Sequence, residues 1–442
     1  MQNPDNKAAK DPRYQRWRAI TFGITWLAYV GLYFTRKSFP VAKIGILEDP
    51  TLEITAASLG WIDGLYGVAY ALGQFIWGMC GDRFGPRKVV LIGMFFSVIF
   101  AVAMGMSSTV ILFGALFFCQ GLCQSTGWAP LTKNVSYWFS RQERGRTYGF
   151  WATNYAIGGL LASAFAGYMA LVFLNWRFAF FMPAIVLAVI WLLFLLLQKN
   201  RPEDIGLPSI EDYHGEAVDV LAKDETPEDE PEGSWKMIGE VFRNPVILSL
   251  GAVYFFLKPT RYAILFWGPL MVNDKLGTNI AASAIISAAF EAAGPLGVIF
   301  AGYASDKWFQ SRRIPITALG LSILAIILFF FNGLTDAGGR GTMVLLLFTM
   351  GFFLFGPDAM IVSASAVDFG TKKGAGSSAG LINGMGSTGQ ILGLALPGVI
   401  WAKYGWGVLF NCMGAFVVLA VLLLLPRWNA VPATVEKKLI PR

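Results

Sequence analysis

The sequence predicts an all-α membrane protein of twelve transmembrane helices, arranged as two pseudo-symmetric six-helix bundles. Three observations carry this. Apolar residues make up 55% of the 442, and charged residues only 14%, against roughly 25% charged in soluble domains. The apolar residues gather in twelve segments, each close to the roughly 20 residues that cross a bilayer. A short motif also recurs about half a chain apart: Gly78-Met-Cys-Gly-Asp82-Arg83 ends the second segment and Gly302-Tyr-Ala-Ser-Asp306-Lys307 ends the eighth, with the aspartates 224 positions apart.

The first segment, 19–38, follows a basic leader (Lys7, Lys10, Arg13, Arg16, Arg18) and reads as an uncleaved span. The next segments are 58–80, ending at Arg83; 88–106, starting after Arg87; 109–135; 147–173, after Arg141, Arg144 and Arg146; and 177–198, ending at Lys199 and Arg201. The second set is 246–272; 279–304, ending before Lys307; 314–333, after Arg312 and Arg313; 342–367; 377–400, after Lys372 and Lys373; and 405–426, ending at Arg427. These basic clusters lie on one side. The other side holds only Lys43, Arg177, Lys275, Arg340 and Lys403. By the positive-inside rule, both termini and the central linker are cytoplasmic, and the expected location is a cell inner membrane. The domains are then 1–198, the first six-helix half; 199–244, a linker; and 245–442, the second half. Residues 203–232 carry twelve carboxylates and one lysine, which reads as a solvated connector.

Several chemistries are excluded. The single histidine, His214, lies in the acidic linker, so no Ser-His-Asp triad or histidine metal site is available. Cys119 and Cys123 are one turn apart with no further ligand near them, and with Cys80 and Cys412 read as small buried residues. No GxxxxGK[ST] loop is present. Basic residues lie between apolar runs, unlike the soluble basic face of a nucleic-acid binder. No enzyme, metal or cofactor is expected, the lipid bilayer is the surroundings, and a monomer is the expected state. Two repeated halves joined by one linker favour a carrier whose substrate site lies at the repeat interface near mid-membrane.

Charges inside the spans are costly and usually functional. Arg261 falls near the middle of its segment, and Arg36 lies 225 positions earlier, so the repeat places them at equivalent positions of the first and seventh spans. Two facing guanidiniums repel unless an anion joins them. Phosphate fits, because each planar fork can donate paired hydrogen bonds to its oxygens.

Gly78-x-x-x-Asp82-Arg83-x-Gly85-x-Arg87-Lys88 resembles the signature loop of the major facilitator superfamily, a cytoplasmic latch, with Asp306-Lys307 as its partial second copy. Tyr33-Phe-Thr-Arg36-Lys37-Ser-Phe39, Gly127-Trp128-x-Pro130, Trp138-Phe-Ser-x-x-Glu143-Arg144-Gly145, Gly206-Leu-Pro208, Arg261-Tyr-x-Ile-x-x-Trp267, Phe355-Gly356-Pro357 and Lys372-Lys373-x-Ala375-Gly376 run in order through nearly the whole chain. Together they resemble the organophosphate:phosphate antiporters, the glycerol-3-phosphate and hexose-6-phosphate exchangers. The resemblance implies the major facilitator fold and alternating access. It also implies that Arg36 and Arg261 grip the phosphoryl group while inorganic phosphate leaves and the organophosphate enters. Tyr29, Tyr33 and Glu291 fall on the family's site positions, and Lys37, Trp128 and Asn154 join them as candidates.

The departures are Tyr155 where glycerol-3-phosphate exchangers carry a histidine, Gln74 in place of a lysine, and Phe266 in place of a carboxylate. In exchange the chain has Lys258, one turn before Arg261 on the same face, and Asp358 after Gly356-Pro357. Lys258 and Asp358 either pair with each other as a buried bridge or make a site of both signs, suited to a zwitterionic phosphate or to proton coupling. Glu291 is a candidate partner for Arg261 in the empty site. Some members of the family are membrane sensors of sugar phosphate. That is one alternative reading, and a carrier of another organic anion, such as a phosphonate or carboxylate, is another.

Overall fold

The computed structural model describes residues 12–139, 143, 147–148, 150–210, 213, 243–310, 312–365 and 375–429. Among them the chain is helical throughout. The first half comprises α1 (Pro12–Glu48), α2 (Ala56–Phe84), α3 (Pro86–Met106), α4 (Val110–Gln124), α5 (Trp128–Ser136), α6 (Thr153–Val172) and α7 (Phe178–Leu197). The second comprises α8 (Pro245–Leu276), α9 (Ile280–Ser287), α10 (Ala289–Ala292), α11 (Gly294–Trp308), α12 (Arg313–Ala337), α13 (Arg340–Ala359) and α14 (Ala375–Leu424). Among the described residues, the apolar segments fall on single helices or on broken series of them. Eight helical stretches among the described residues are long and apolar enough to cross a membrane. The last, Leu381–Arg427, is bent in two at Gly405, whose φ of 79° favours glycine. The helices α1, α2 and α8 are as long (37, 29 and 32 residues) but richer in polar side chains.

Helix starts follow the local sequence. Thr55 and Ser58 form a reciprocal capping box on α2. Asn244 caps α8 ahead of Pro245, and Asn279 caps α9. The internal breaks also have sequence causes. Pro130 lacks an N–H and follows Gly127, where α4 gives way to α5. Pro295 likewise leaves the Glu291 carbonyl without its helical donor, where α10 gives way to α11 in the broken eighth span.

Polarity is inverted relative to a soluble protein. Ile111, Ile299, Phe330 and Leu345 are exposed, whereas Arg36, Lys37, Lys43, Asp63, Gln124, Lys258, Glu291 and Asp358 are buried. Lipid accepts the former, and only a protein interior can satisfy the latter.

One expectation is corrected. The sequence places Lys43 on the outer side, past a span ending near residue 38. Instead α1 continues through Pro40 to Glu48, and Lys43 is fully buried. Proline forfeits one rung of the ladder, but packing holds the helix together across it.

The halves approach closely on the side where α1 passes to α2. A Cβ on Gly60 would lie 2.5 Å from the Ala395 carbonyl, and one on Gly398 2.3 Å from that of Ala56. A Cβ on Gly167 of α6 would lie 3.0 Å from Ala281 Cα of α9. Small residues bring these backbones together.

Candidate functional site

The two arginines sit on opposite halves, each in a ring-lined pocket. Arg36 lies on α1 with its guanidinium carbon 4.5 Å from the ring centre of Tyr33, 5.1 Å from Tyr70 and 5.9 Å from Tyr29. Its Nε donates to Gln124 Oε1 at 3.2 Å, and Gln124 Nε2 in turn donates to Thr35 Oγ1 at 2.7 Å. The amide thus fixes the guanidinium plane. Nη2 of Arg36 is buried and makes no hydrogen bond to protein.

Arg261 lies on α8 between Pro259 and Pro269. Its guanidinium faces Phe355 at 4.7 Å, Tyr155 at 5.5 Å and Tyr262 at 5.9 Å, and its Nη1 donates to Asp358 Oδ2 at 2.9 Å. Nε of Arg261 and Oδ1 of Asp358 are buried without hydrogen bonds. Cation–π contact holds both guanidiniums in place without consuming their donors. A series of rings spans the halves between them: Tyr70 to Tyr66, 5.9 Å; Tyr66 to Phe266, 5.4 Å; Phe266 to Tyr262, 6.1 Å.

Asp358 follows Pro357 at the end of α13, where the helix widens into a π turn over Met360–Ser365. Such bulges re-aim side chains. Of the two readings for Lys258 and Asp358, the bridge between them is not made among the described residues: the carboxylate pairs with Arg261. Lys258 instead donates to Ser387 Oγ at 3.2 Å and lies 4.8 Å from the Tyr254 ring centre.

Glu291 is also reassigned. Its carboxylate meets Lys37, not Arg261, at 2.7 Å. Helix α6 makes room for it: a Cβ on Gly159 would lie 1.8 Å from Glu291 Oε1, and one on Gly158 3.2 Å from Tyr33 Cβ. Backbone at Gly158-Gly159 therefore lies between α1 and α10, with Tyr155 one turn away, stacked 6.1 Å from Phe355. Asn154 is buried with both amide atoms free of hydrogen bonds. Trp128 packs on Tyr29 and Trp151 at 5.4 and 5.5 Å.

Lys37 also donates to the Leu265 carbonyl at 3.1 Å. That oxygen lacks its helical donor because residue 269 is proline. One turn and a half further along α1, Lys43 donates to the Phe266 carbonyl at 3.0 Å, pairs with Asp63 of α2, and lies 3.8 Å from the Trp267 ring centre. The sequence reading missed Asp63, although a carboxylate inside segment 58–80 was signal enough.

At the signature loop, Gly85 turns α2 into α3 with φ of 83°. The Arg87 backbone N–H donates to Asn200 Oδ1 at 2.9 Å and its guanidinium to the Leu195 carbonyl at 2.6 Å, while Arg83 lies over Phe84. The second copy closes on itself: Arg313 donates to Asp306 at 2.6 Å, and Lys307 to the Tyr303 hydroxyl at 2.6 Å. The side chain of Asp82 and the residues His214, Arg144, Gly145, Lys372 and Lys373 lie outside what the structure describes, and Gly78 is placed only as part of α2.

Two helical halves, each with an arginine whose guanidinium has a buried nitrogen, and the pair 225 positions apart in sequence, define a bundle of the membrane-carrier class. The family model described as Major Facilitator Superfamily matches residues 25–386, and the chain belongs to that superfamily. A probable hexose phosphate transport protein of Chlamydia trachomatis is 31% identical over 96% of this chain and 94% of its own length. The glycerol-3-phosphate transporter of Bacillus subtilis is 29% identical over 95% and 94%, and the membrane sensor protein UhpC of Escherichia coli 28% over 95% and 94%. Within the superfamily the chain is thus a member of the organophosphate:phosphate antiporter family. The crystal structure of a bacterial homolog of the lysosomal transporter Spinster, inward-facing and unoccupied, matches with a TM-score of 0.68 over 93% of this chain and 95% of that one. At 15% identity it shows the fold alone.

Proposed function

We propose that this chain takes up an organophosphate of the glycerol-3-phosphate or sugar-phosphate class in exchange for inorganic phosphate by alternating access. One observation carries this reading: Arg36 Nη2 and Arg261 Nε are buried donors without protein partners, one on each half. Buried cationic donors without acceptors are costly, and a phosphoryl group between them supplies oxygens to both while drawing the halves together. Tyr29, Tyr33 and Tyr155 line the approach, and Lys37–Glu291 ties the halves beside it. The relatives named as hexose phosphate and glycerol-3-phosphate transporters support the same substrate class.

With both termini cytoplasmic in an inner membrane, the close Gly60–Ala395 and Gly167–Ala281 approaches lie on the outer side, so this conformation faces inward. The loop from Gly78 to Arg87 and its copy at Asp306-Lys307 act as cytoplasmic latches. The carrier works as a monomer.

Phosphate-loaded proteoliposomes test the proposal. Wild-type protein exchanges internal for external phosphate. Arg36→Lys and Arg261→Lys each lose roughly tenfold to a hundredfold, because lysine keeps the charge but loses the fork, and an unpaired buried anion oxygen costs about 1–3 kcal/mol. Near-normal exchange in both mutants would end the clamp. The sensor relative favours a second reading, in which the protein binds sugar phosphate and signals without bulk transport. Binding with no detectable counterflow would select it.

A further inference from the structure

One turn from Arg261 the structure holds a further buried cation that the proposed clamp does not use. Lys258 is 5% exposed, and its ammonium has a neutral hydroxyl, Ser387 Oγ, as its only hydrogen-bond partner among the described residues. Among those residues no carboxylate forms an ion pair with it; Asp358, the acidic group that acts on it electrostatically, is paired through Oδ2 with Arg261. One turn beyond Ser387 on α14, Gln390 is 1% exposed with both amide atoms free of hydrogen bonds. The two stretches are pressed together. Cβ atoms on Gly386, Gly389 and Gly393 would lie 2.2, 2.0 and 2.1 Å from Tyr254, Phe255 and Pro259 of α8. A buried ammonium with one neutral partner, and an unpartnered amide one turn along the facing helix, make a donor set without its acceptor.

We propose that Lys258, Ser387 and Gln390 form a second anion subsite, which holds the carboxylate of a phosphorylated acid while Arg36 and Arg261 hold its phosphate. This rests on the carrier reading and narrows its substrate class. Lys258 and Arg261 are three residues apart on α8, with Cβ atoms about 5–6 Å apart. That spacing suits a phosphate ester and an acid group joined through two or three carbons. A second phosphate is disfavoured, because one ammonium does not balance a tetrahedral dianion. A carboxylate is a monoanion with two oxygens, one for the ammonium and hydroxyl and one for the glutamine amide.

Calorimetric binding to the purified full chain tests this with three probes: inorganic phosphate, glycerol 3-phosphate and 3-phosphoglycerate. The last two differ only in carrying a hydroxymethyl or a carboxylate at one carbon. Wild-type protein binds 3-phosphoglycerate about tenfold more tightly than glycerol 3-phosphate, as one charge-assisted contact predicts. Lys258→Met brings that ratio to about one or below, and Gln390→Leu narrows it about threefold. Equal affinities in the wild type overturn the subsite, as does a ratio unchanged in folded Lys258→Met. If Lys258→Met does not fold, the wild-type ratio and Gln390→Leu decide. Binding of phosphate and glycerol 3-phosphate without the preference overturns the subsite alone. Binding of none of the three overturns the carrier reading with it.

Discussion

Lys37 Nζ lies 2.7 Å from Glu291 Oε2, both side chains at most 5% exposed, so an ion pair joins α1 of one half to α10 of the other. Breaking such a pair from one side strands a buried charge at about 3–5 kcal/mol, whereas replacing both partners is often nearly neutral. Lys37→Met and Glu291→Gln should each depress phosphate exchange by tenfold or more. The double mutant should recover most of the loss. Exchange in the double mutant as poor as in the worse single mutant would show that one of the two touches substrate directly.

Lys43 and Asp63 offer a test of a different step. Lys43 reaches the Phe266 carbonyl and the Trp267 ring of the opposite half while paired with Asp63. Asp63→Asn should loosen the outer closure while leaving phosphate affinity within a few fold. A cysteine at Tyr66, buried in the present state, should then react faster with a membrane-impermeant maleimide added outside. Unchanged reactivity would remove Lys43–Asp63 from the gate.

The glycine contacts make a steric prediction. Gly398→Val places carbon about where the Ala56 carbonyl lies, 2.3 Å from the ideal Cβ, and backbone cannot yield as a flexible side chain does. The variant should be held open on that side, binding substrate from outside yet failing to deliver it. Normal counterflow would show that the halves do not need this approach to close.

Topology is testable at two exposed sites. A cysteine replacing Glu53, between α1 and α2, should label from outside, and one replacing Arg83, at the end of α2, should not. The reverse result inverts the orientation deduced from the loop charges.

The sequence disclosed the two arginines because a repeat offset is a linear quantity: 225 positions between them against 224 between the motif aspartates. Their partners were a different matter. Spacing places Lys258 and Arg261 on one face of α8, but which of them meets Asp358 depends on the rotation of α13. The proline and π turn at 357–365 set that rotation, and no periodicity encodes it. Glu291 shows the same limit, since three short helices in series fix its aim. Lys43 was misplaced because Pro40 and the end of the apolar run coincide with a helix that goes on for two more turns. Tertiary contact with Asp63, invisible locally, pulls that stretch inside.

The helical ladder of α8 has a missing rung at Pro269, and the donor that fills it, Lys37, comes from the other half of the molecule. Each half therefore lends the other a hydrogen-bond partner. A fragment starting at residue 199 would have to satisfy the Leu265 carbonyl from lipid or not at all. A fragment ending at residue 198 would carry Lys37 without either of its acceptors, Glu291 and the Leu265 carbonyl, and Lys43 with Asp63 but without the Phe266 carbonyl. Produced as separate chains in one membrane, each fragment is expected to be a poor protein alone and a strong binder of the other, so the carrier should reassemble from its pieces without the linker.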